Sequence, residues 1–350
     1  MTLDFAIWDH FERQDGIPLN QQYEERIQLI VEAEACGFAG YHVAEHHLTP
    51  LDMAPSPTVF LSAVAQRTSR IRLGSMVFCL PLYHPVRLIQ EICMLDQISN
   101  GRFEPGVGRG VRDVEHEWFS LNPLEARARY AETLEVVRSG LTQGKLAHHG
   151  RLFEFDDVPL NCEPLQNPIP FWYAGNIQSA AEQGMNALGR ASSREVFDAY
   201  WQRWEQGRAD GDPLYQREPR VGSTRHLLVA DTDEEAYVIA ARAWNVYAAH
   251  FNATSTRIDG HALERSATIG SGGSQDVAER IAAGVLLAGS PATVRDKLGS
   301  YLDRVGPGHN YLVAAFQWGD LTHAEAMRSM ELYAAEVMPA LRERRIPAAV

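Results

Sequence analysis

Cysteine is scarce in this sequence, and no two cysteines have the Cys-x-x-Cys spacing of redox and zinc motifs. The chain of 350 residues contains four of them, at Cys36, Cys79, Cys93 and Cys162. The first three lie among apolar residues, as buried thiols usually do. We therefore expect the cysteines to be reduced and structural.

The sequence also lacks a membrane span, a secretory signal and blocks of like charge. No window approaches 18 apolar residues without a charge, and the N-terminus has no basic region followed by an apolar core. The net charge is -13, with acids and bases interleaved, which argues against a nucleic acid or a membrane surface as partner. We expect a cytoplasmic protein that acts on small molecules.

Apolar segments of strand and helix length alternate along the first 107 residues. Strands are predicted at residues 3–8, 41–44, 71–80 and 103–107, and helices at residues 21–36, 56–68 and 85–99. This order predicts a parallel α/β sheet with helical crossovers, either closed into a barrel or open and doubly wound. With 45% hydrophobic residues, the chain can bury the core of one barrel or of two smaller domains.

Ionisable side chains follow two of these strands directly. Glu45, His46 and His47 come after the second strand, and Gly108, Arg109 and Gly110 come after the fourth. Barrel enzymes keep their chemistry at the carboxyl ends of their strands. A guanidinium between glycines suits a phosphate, because the side chain can bind two oxygens while backbone amides approach. The alternatives are an ordinary polar loop for the histidines and a structural salt bridge for Arg109.

Five motifs along the chain resemble those of the bacterial-luciferase-like family of flavin-dependent oxidoreductases. They are Leu3-Asp4-Phe5, Glu45-His46-His47, Gly101-Arg102-Phe103, Phe171-Trp172-Tyr173-Ala174-Gly175-Asn176 and Ala334-Ala335-Glu336-Val337-Met338-Pro339. The likeness is most specific in the first 110 residues and thin between about 190 and 290.

The resemblance implies that residues 1–350 form one domain, a (β/α)8 TIM barrel with insertions. Its later strands would be residues 171–174, 186–188, 226–230 and 311–315, with helices at 195–208, 234–251 and 323–342. An insertion is expected near 148–168. Residues 252–275, which are rich in glycine, would form a mobile loop that covers the cofactor.

The resemblance also assigns a cofactor, flavin mononucleotide (FMN). A cis peptide bond at Met76-Val77 would lie beneath the flavin ring, while Gly108, Arg109, Gly110, Asn176 and Ser179 would bind the phosphate. A dinucleotide is disfavoured, since no Gly-x-Gly-x-x-Gly follows the first strand.

His46 is the expected catalytic residue, because a histidine exchanges protons near neutral pH. Glu45 would orient it, and His47 would line the substrate pocket. A metal site at His42, His46 and His47 is disfavoured, since neighbouring strand residues point to opposite faces.

The implied reaction is monooxygenation of a small organic substrate by oxygen and reduced FMN, which a separate reductase supplies. A homodimer is expected, with helices of the first half in the interface. Gly108 stands where luciferase has a reactive cysteine, so light emission is not expected. Two other functions remain open, namely a deazaflavin-dependent dehydrogenase or reductase on the same barrel and a non-catalytic flavin-binding accessory subunit.

Overall fold

Parallel strands form the centre of the molecule. The computed structural model describes residues 2–189, 193–253 and 276–344. Its strands are β1 (Asp4–Asp9), β2 (Gly40–Val43), β3 (Arg72–Ser75), β4 (Phe78–Cys79), β5 (Gly106–Gly108), β6 (Lys145–His149), β7 (Glu154–Pro159), β8 (Trp172–Ala174), β9 (Asn186–Leu188), β10 (Val221–Val229), β11 (Leu286–Gly289) and β12 (Tyr311–Ala315).

The main sheet is almost closed into a barrel. Its strand order is β3-β2-β1-β12-β10-β9-β8-β5-β4, all neighbours are parallel, and β11 pairs with β10 outside this path. The two end strands, β3 and β4, are one strand interrupted at Met76 and Val77, and a bridge between Leu73 and Phe103 spans the remaining seam. The barrel prediction is therefore confirmed, although the predicted strand at 71–80 is split in two.

Helices surround the barrel and connect its strands. They are α1 (Leu19–Ala35), α2 (Pro57–Arg67), α3 (Pro85–Ile98), α4 (Asp113–Trp118), α5 (Ala126–Gln143), α6 (Ile177–Glu182), α7 (Arg194–Ala209), α8 (Asp233–Asn252), α9 (Val277–Ala282), α10 (Pro291–Val305), α11 (His323–Leu332) and α12 (Met338–Arg344). Proline opens α2, α3 and α10, where its missing N–H costs no helical hydrogen bond. A capping box of Thr322 and Glu325 starts α11, and a π-helical turn, Tyr333–Val337, joins it to α12.

Large aromatic side chains fill the barrel interior. The rings of Trp172 and Tyr311 are 4.9 Å apart, and Nε2 of His42 lies 2.9 Å from the Tyr311 hydroxyl. Gly40 makes room for this hydroxyl, because a Cβ at that position would lie 2.2 Å from it. Burial lowers the pKa of His42 to about 4, so the imidazole is neutral near pH 7. His42 is therefore part of the packed core.

The amino-terminal end of the barrel is held by charged side chains around Glu104. This buried carboxylate pairs with Arg72 and Arg220 and accepts a hydrogen bond of 2.6 Å from the indole of Trp172. A cavity of about 300 Å³ opens here, and its lining includes the starts of β3 and β9 at Arg72 and Asn186. In barrels this end serves stability, whereas the opposite end carries the chemistry.

Two segments interrupt the alternation of strands and helices. The insertion expected near 148–168 contains the antiparallel hairpin of β6 and β7, which begins slightly earlier in the chain. The expected mobile loop at 252–275 lies outside the described residues, apart from Asn252 and Ala253 at the end of α8. None of the helices in the described ranges is both long and apolar enough to cross a membrane.

Candidate active site

Loops at the carboxyl ends of β2, β4 and β5 meet at one mouth of the barrel. The first of them carries Glu45, His46 and His47, and the last carries Arg109 and leads into α4. Tyr83, beyond β4, donates a hydrogen bond of 2.8 Å to Glu45. Glu115 on α4 lies 3.0 Å from the ring of His46. The structure thus brings the two sequence motifs together at one end of the barrel.

His46 is held at two points. Its amide donates to the Asp52 carboxylate over 3.0 Å, and its Nδ1 lies 3.0 Å from Oε1 of Glu115. The same oxygen accepts the amide of His47 over 3.2 Å. Burial raises the pKa of Glu115, but the hydrogen bonds from His46 and the His47 amide outweigh it, so this pKa lies below its ordinary value. An ionised Glu115 requires the proton on Nδ1 of His46, which leaves Nε2 of the neutral ring as an acceptor.

Glu45 contacts His47 and not His46. Its Oε1 lies 3.0 Å from Nε2 of His47, while Oε2 accepts from Tyr83 and, over 3.3 Å, from the Cys79 amide. The expectation that Glu45 orients His46 is therefore wrong, because successive residues at the end of a strand point in different directions. Burial raises the pKa of Glu45, although the hydrogen bonds it accepts oppose the shift. The His46 partner is Glu115 instead.

His47 lies at the rim of the mouth. Its ring packs edge-on against Phe119, with 4.7 Å between the ring centroids, and Phe119 is 43% exposed. The hydrogen bond to Glu45 fixes the ring from the other side. His47 therefore has a defined orientation, and its role in lining the substrate pocket stays a prediction.

Arg109 extends into solvent from the loop after β5. The structure records no ion pair for its guanidinium with any carboxylate of the described ranges. The loop itself is fixed, since the ring of His116 lies 3.1 Å from the Arg109 carbonyl, and Gly110 has a φ of 80°. The described residues therefore offer no support for the alternative interpretation, in which Arg109 forms a structural salt bridge.

The peptide bond between Met76 and Val77 is cis, as the family resemblance implies. Met76 belongs to the cluster that fills the barrel, together with Trp172 and Tyr311. Val77 leans toward the end of β5, where a Cβ on Gly108 would lie 2.4 Å from its Cγ2. Val77, expected beneath the flavin ring, therefore lies close to Gly108, expected beside the phosphate.

Replacing Gly108 with alanine is expected to lower the free energy of unfolding by about 1–3 kcal/mol. The added methyl would overlap Val77, whose branched side chain has few alternative rotamers. Chemical denaturation of the single variant and of a Gly108→Ala, Val77→Ala double variant measures this effect. The double variant should show a smaller effect of Gly108→Ala than the wild-type background does. Equal effects in both backgrounds would contradict the proposed contact.

Asn176 and Ser179 follow β8, which pairs with β5. The register joins Gly106 to Trp172 and Val107 to Tyr173, so Arg109 and Gly175 stand side by side beyond the paired strands. Asn176 is exposed and caps α6 by accepting the Ser179 amide over 2.9 Å. This amide is therefore engaged, whereas the Asn176 amide nitrogen and the Ser179 hydroxyl make no hydrogen bond among the described residues.

Three residues that face the site were missed in the sequence. His10 follows β1, and its ring lies 5.4 Å from that of His46 and 5.8 Å from that of Tyr247. Burial, together with nearby His46, lowers the pKa of His10 well below its ordinary value, so this ring is neutral. The other two are Glu115 and Arg112, both near the start of α4. His10 follows a strand directly, as His46 does, so the same rule could have found it. Glu115 and Arg112 carry no sequence signal of their own.

Aromatic rings form a wall beside His10. Trp8, the last but one residue of β1, has its ring centroid 4.3 Å from that of His10, and Phe251 lies 6.3 Å from it. On the far side His226 packs 4.5 Å from Tyr247. In the described residues no group of three or more histidine, cysteine, aspartate and glutamate side chains could hold a metal ion. The mouth therefore combines the His46–Glu115 pair with an aromatic surface.

Comparison with known proteins identifies relatives over most of the chain. The model of the luciferase-like monooxygenase family matches residues 3–306. The oxygenase component of the flavin-dependent trigonelline monooxygenase of Acinetobacter baylyi is 29% identical over 265 residues, which make up 71% of each chain.

Two solved structures share the fold at low sequence identity. The oxygenating constituent of 3,6-diketocamphane monooxygenase from Pseudomonas putida, solved in complex with FMN, has a TM-score of 0.73 and 20% identity, covering 97% of this chain and 99% of that chain. The coenzyme F420 dependent tetrahydromethanopterin reductase from Methanopyrus kandleri has a TM-score of 0.67 and 20% identity, with the same coverage.

Proposed function

Because the chain belongs to the luciferase-like monooxygenase family and is an oxygen-incorporating oxidoreductase, we propose that it is the oxygenase component of a two-component FMN-dependent monooxygenase. The observation that carries this proposal is the convergence at one barrel mouth of the His46–Glu115 pair and the loop of Arg109. The first offers a proton-transfer group, and the second offers a cation for a phosphate.

The residues around Arg109 fit an FMN phosphate. The exposed guanidinium can bind two phosphate oxygens, and Gly108 and Gly110 keep side chains away from the backbone beside it. Asn176 and Ser179 stand on the adjacent strand end and offer an amide and a hydroxyl. Met76 and Val77 would support the flat ring. Bound reduced FMN would supply the two electrons with which one atom of O₂ enters the substrate while the other leaves as water.

His46 would hold or accept a proton at Nε2 during this reaction. Glu115 keeps the ring in one orientation and one tautomer and would stabilise the imidazolium that forms. Glu45 would act indirectly, by fixing His47 at the rim through a 3.0 Å contact. The aromatic wall beside His10 would exclude water from the reacting groups.

The reduced flavin would come from a separate reductase, and the whole chain would act as one catalytic domain. The sequence has no nicotinamide-binding motif, and the trigonelline enzyme is itself described as an oxygenase component. We also propose a cytoplasmic homodimer. All four cysteines are free, which fits a reducing compartment, and α2 and α3 expose Val59 and Met94 by 72% and 55%.

A deazaflavin-dependent dehydrogenase is the second candidate, because the F420-dependent reductase has the same fold. The test compares oxygen uptake and incorporation of ¹⁸O from labelled O₂ into a panel of small organic compounds, with FMN reduced by an added flavin reductase or with reduced F420. We expect oxygen uptake and labelled product with FMN alone. Hydride transfer with F420 and no labelled product would favour the dehydrogenase. Absence of turnover with either cofactor would favour a non-catalytic accessory subunit.

A further inference from the structure

Arg112 is a buried cation beside the candidate active site. It is 8% exposed, and its Nη2 donates a hydrogen bond of 2.7 Å to the Phe251 carbonyl. Its Nε has no hydrogen-bond partner, and no carboxylate of residues 2–189, 193–253 or 276–344 forms an ion pair with it. A buried charge of this kind is costly unless an anion compensates it. The nearest anion is the Glu115 carboxylate, which interacts with the guanidinium electrostatically but forms no ion pair with it and contacts His46 instead.

Two other buried arginines differ from Arg112 in their partners, although Nε of Arg26, like Nε of Arg112, has no hydrogen-bond partner among the described residues. Arg26, 3% exposed, forms an ion pair with Asp9. Arg102, with the same exposure as Arg112, donates five hydrogen bonds, four of them to backbone carbonyls. Arg112 makes one hydrogen bond, to a neutral acceptor. Within the described residues the structure records no other hydrogen bond of this guanidinium, which leaves its remaining N–H groups for a ligand.

Arg112 lies close in the chain to the residue that contacts His46. It immediately precedes α4, and Glu115 on the first turn of that helix holds the His46 ring. Its guanidinium carbon lies 4.7 Å from the centre of the Phe251 ring. That ring in turn lies 5.9 Å from Tyr247 and 6.3 Å from His10. The cation therefore packs against the aromatic wall, three residues before the glutamate that contacts His46.

We propose that Arg112 binds the carboxylate of the organic substrate, and that the substrate is an aromatic or similarly flat organic acid. A guanidinium binds a carboxylate through two parallel hydrogen bonds, and the aromatic wall suits a flat apolar body. Arg109 is left for the FMN phosphate, since it is exposed and adjoins Gly175 and Asn176. This inference rests on the proposed monooxygenase function and narrows its substrate class.

The test measures binding of simple carboxylates to the full-length protein by calorimetry, both without flavin and with reduced FMN under anaerobic conditions. Benzoate, indole-3-acetate and hexanoate are the anionic probes, and benzamide is the neutral analogue of benzoate. We expect an aromatic carboxylate to bind more tightly than hexanoate and benzamide. The Arg112→Gln variant should lose at least about tenfold in affinity for that carboxylate.

Several controls distinguish misfolding of the variant from loss of the contact between Arg112 and the carboxylate. Arg112→Lys, which retains the charge, should recover part of the affinity, and benzamide binding should not change in either variant. Arg109→Gln should leave carboxylate binding without flavin unchanged. Thermal unfolding of each variant shows whether the fold persists.

Three results would overturn the inference. They are no saturable binding of any of the three carboxylates to the wild-type protein, equal carboxylate affinity in wild type and Arg112→Gln, and a loss in Arg112→Gln confined to reduced FMN. The last result would assign Arg112 to the flavin ring. Carboxylate binding without any binding of reduced FMN would instead count against the monooxygenase proposal alone, so the two failures are distinguishable.

Discussion

Replacing His46 with alanine is expected to lower the rate of substrate oxygenation by roughly 100-fold to 10,000-fold, the usual contribution of a general acid or base. The reason is that His46, among the histidines described at the barrel mouth, combines a fixed ring with a free Nε2, since His10 is buried and neutral and His47 is bound to Glu45. The initial rate of product formation, measured with a compound that the wild type oxygenates, provides the readout. Reduced FMN should still bind to the variant with little change.

Two glutamate variants provide matched controls for this prediction. Glu115→Gln removes the charge that orients His46, and it should lower the rate of oxygenation by less than His46→Ala does, because the ring keeps Nε2 but loses the ionised partner that fixes its tautomer. Glu45→Gln removes an equally buried carboxylate that contacts His47 instead, and it should change this rate much less. Oxygenation by His46→Ala within threefold of the wild-type rate would rule out a proton-transfer role for His46.

Replacing Arg109 with methionine should weaken the binding of reduced FMN by about tenfold to 100-fold, the equivalent of one or two charge-assisted hydrogen bonds. Reduced riboflavin, which lacks the phosphate, should bind the variant and the wild type equally well. The ratio of the two dissociation constants therefore isolates the phosphate contact. It is measured by anaerobic fluorescence titration.

Arg87→Met is the corresponding control. Arg87 has a side chain that is 74% exposed and pairs with Glu91 on α3. Its replacement changes the net charge in the same way and should affect neither ligand. If Arg109→Met weakened riboflavin as much as FMN, or weakened neither, the phosphate role of Arg109 would have to be abandoned.

Local sequence patterns predicted the elements that carry the site. The helices at 21–36 and 85–99 agree with α1 and α3 to within two residues at each end, because each has a clear apolar period and a proline or glycine at one end. The strand at 41–44 agrees with β2 to within one residue, although all of β2 is buried, because the ionisable run Glu45-His46-His47 marks its end. Where both faces of a strand are buried or both are exposed, the period disappears. The four residues of β11 are all buried, whereas most of β7 is exposed, and neither was predicted as a strand.

Which side chains pair within the site depends on closure of the barrel, and no local sequence pattern indicates these pairs. His46 and Glu115 are 69 residues apart and meet because the loops after β2 and β5 lie at the same mouth. The sequence places Glu45 next to His46, yet the turn after β2 directs this carboxylate toward Tyr83 and Cys79 on the neighbouring strand loop. Strand ends thus predict which residues reach the mouth, and their pairing requires the three-dimensional arrangement.

Anaerobic titration of the wild-type protein with reduced FMN is the direct test of the proposed FMN-dependent monooxygenase function. Quenching of tryptophan fluorescence is a suitable signal, because Trp8 and Trp172 lie at and below the barrel mouth. We expect saturable binding of one reduced FMN per chain, with reduced F420 binding far more weakly. Saturable binding of reduced F420 without binding of reduced FMN would contradict the monooxygenase proposal and favour the deazaflavin-dependent dehydrogenase.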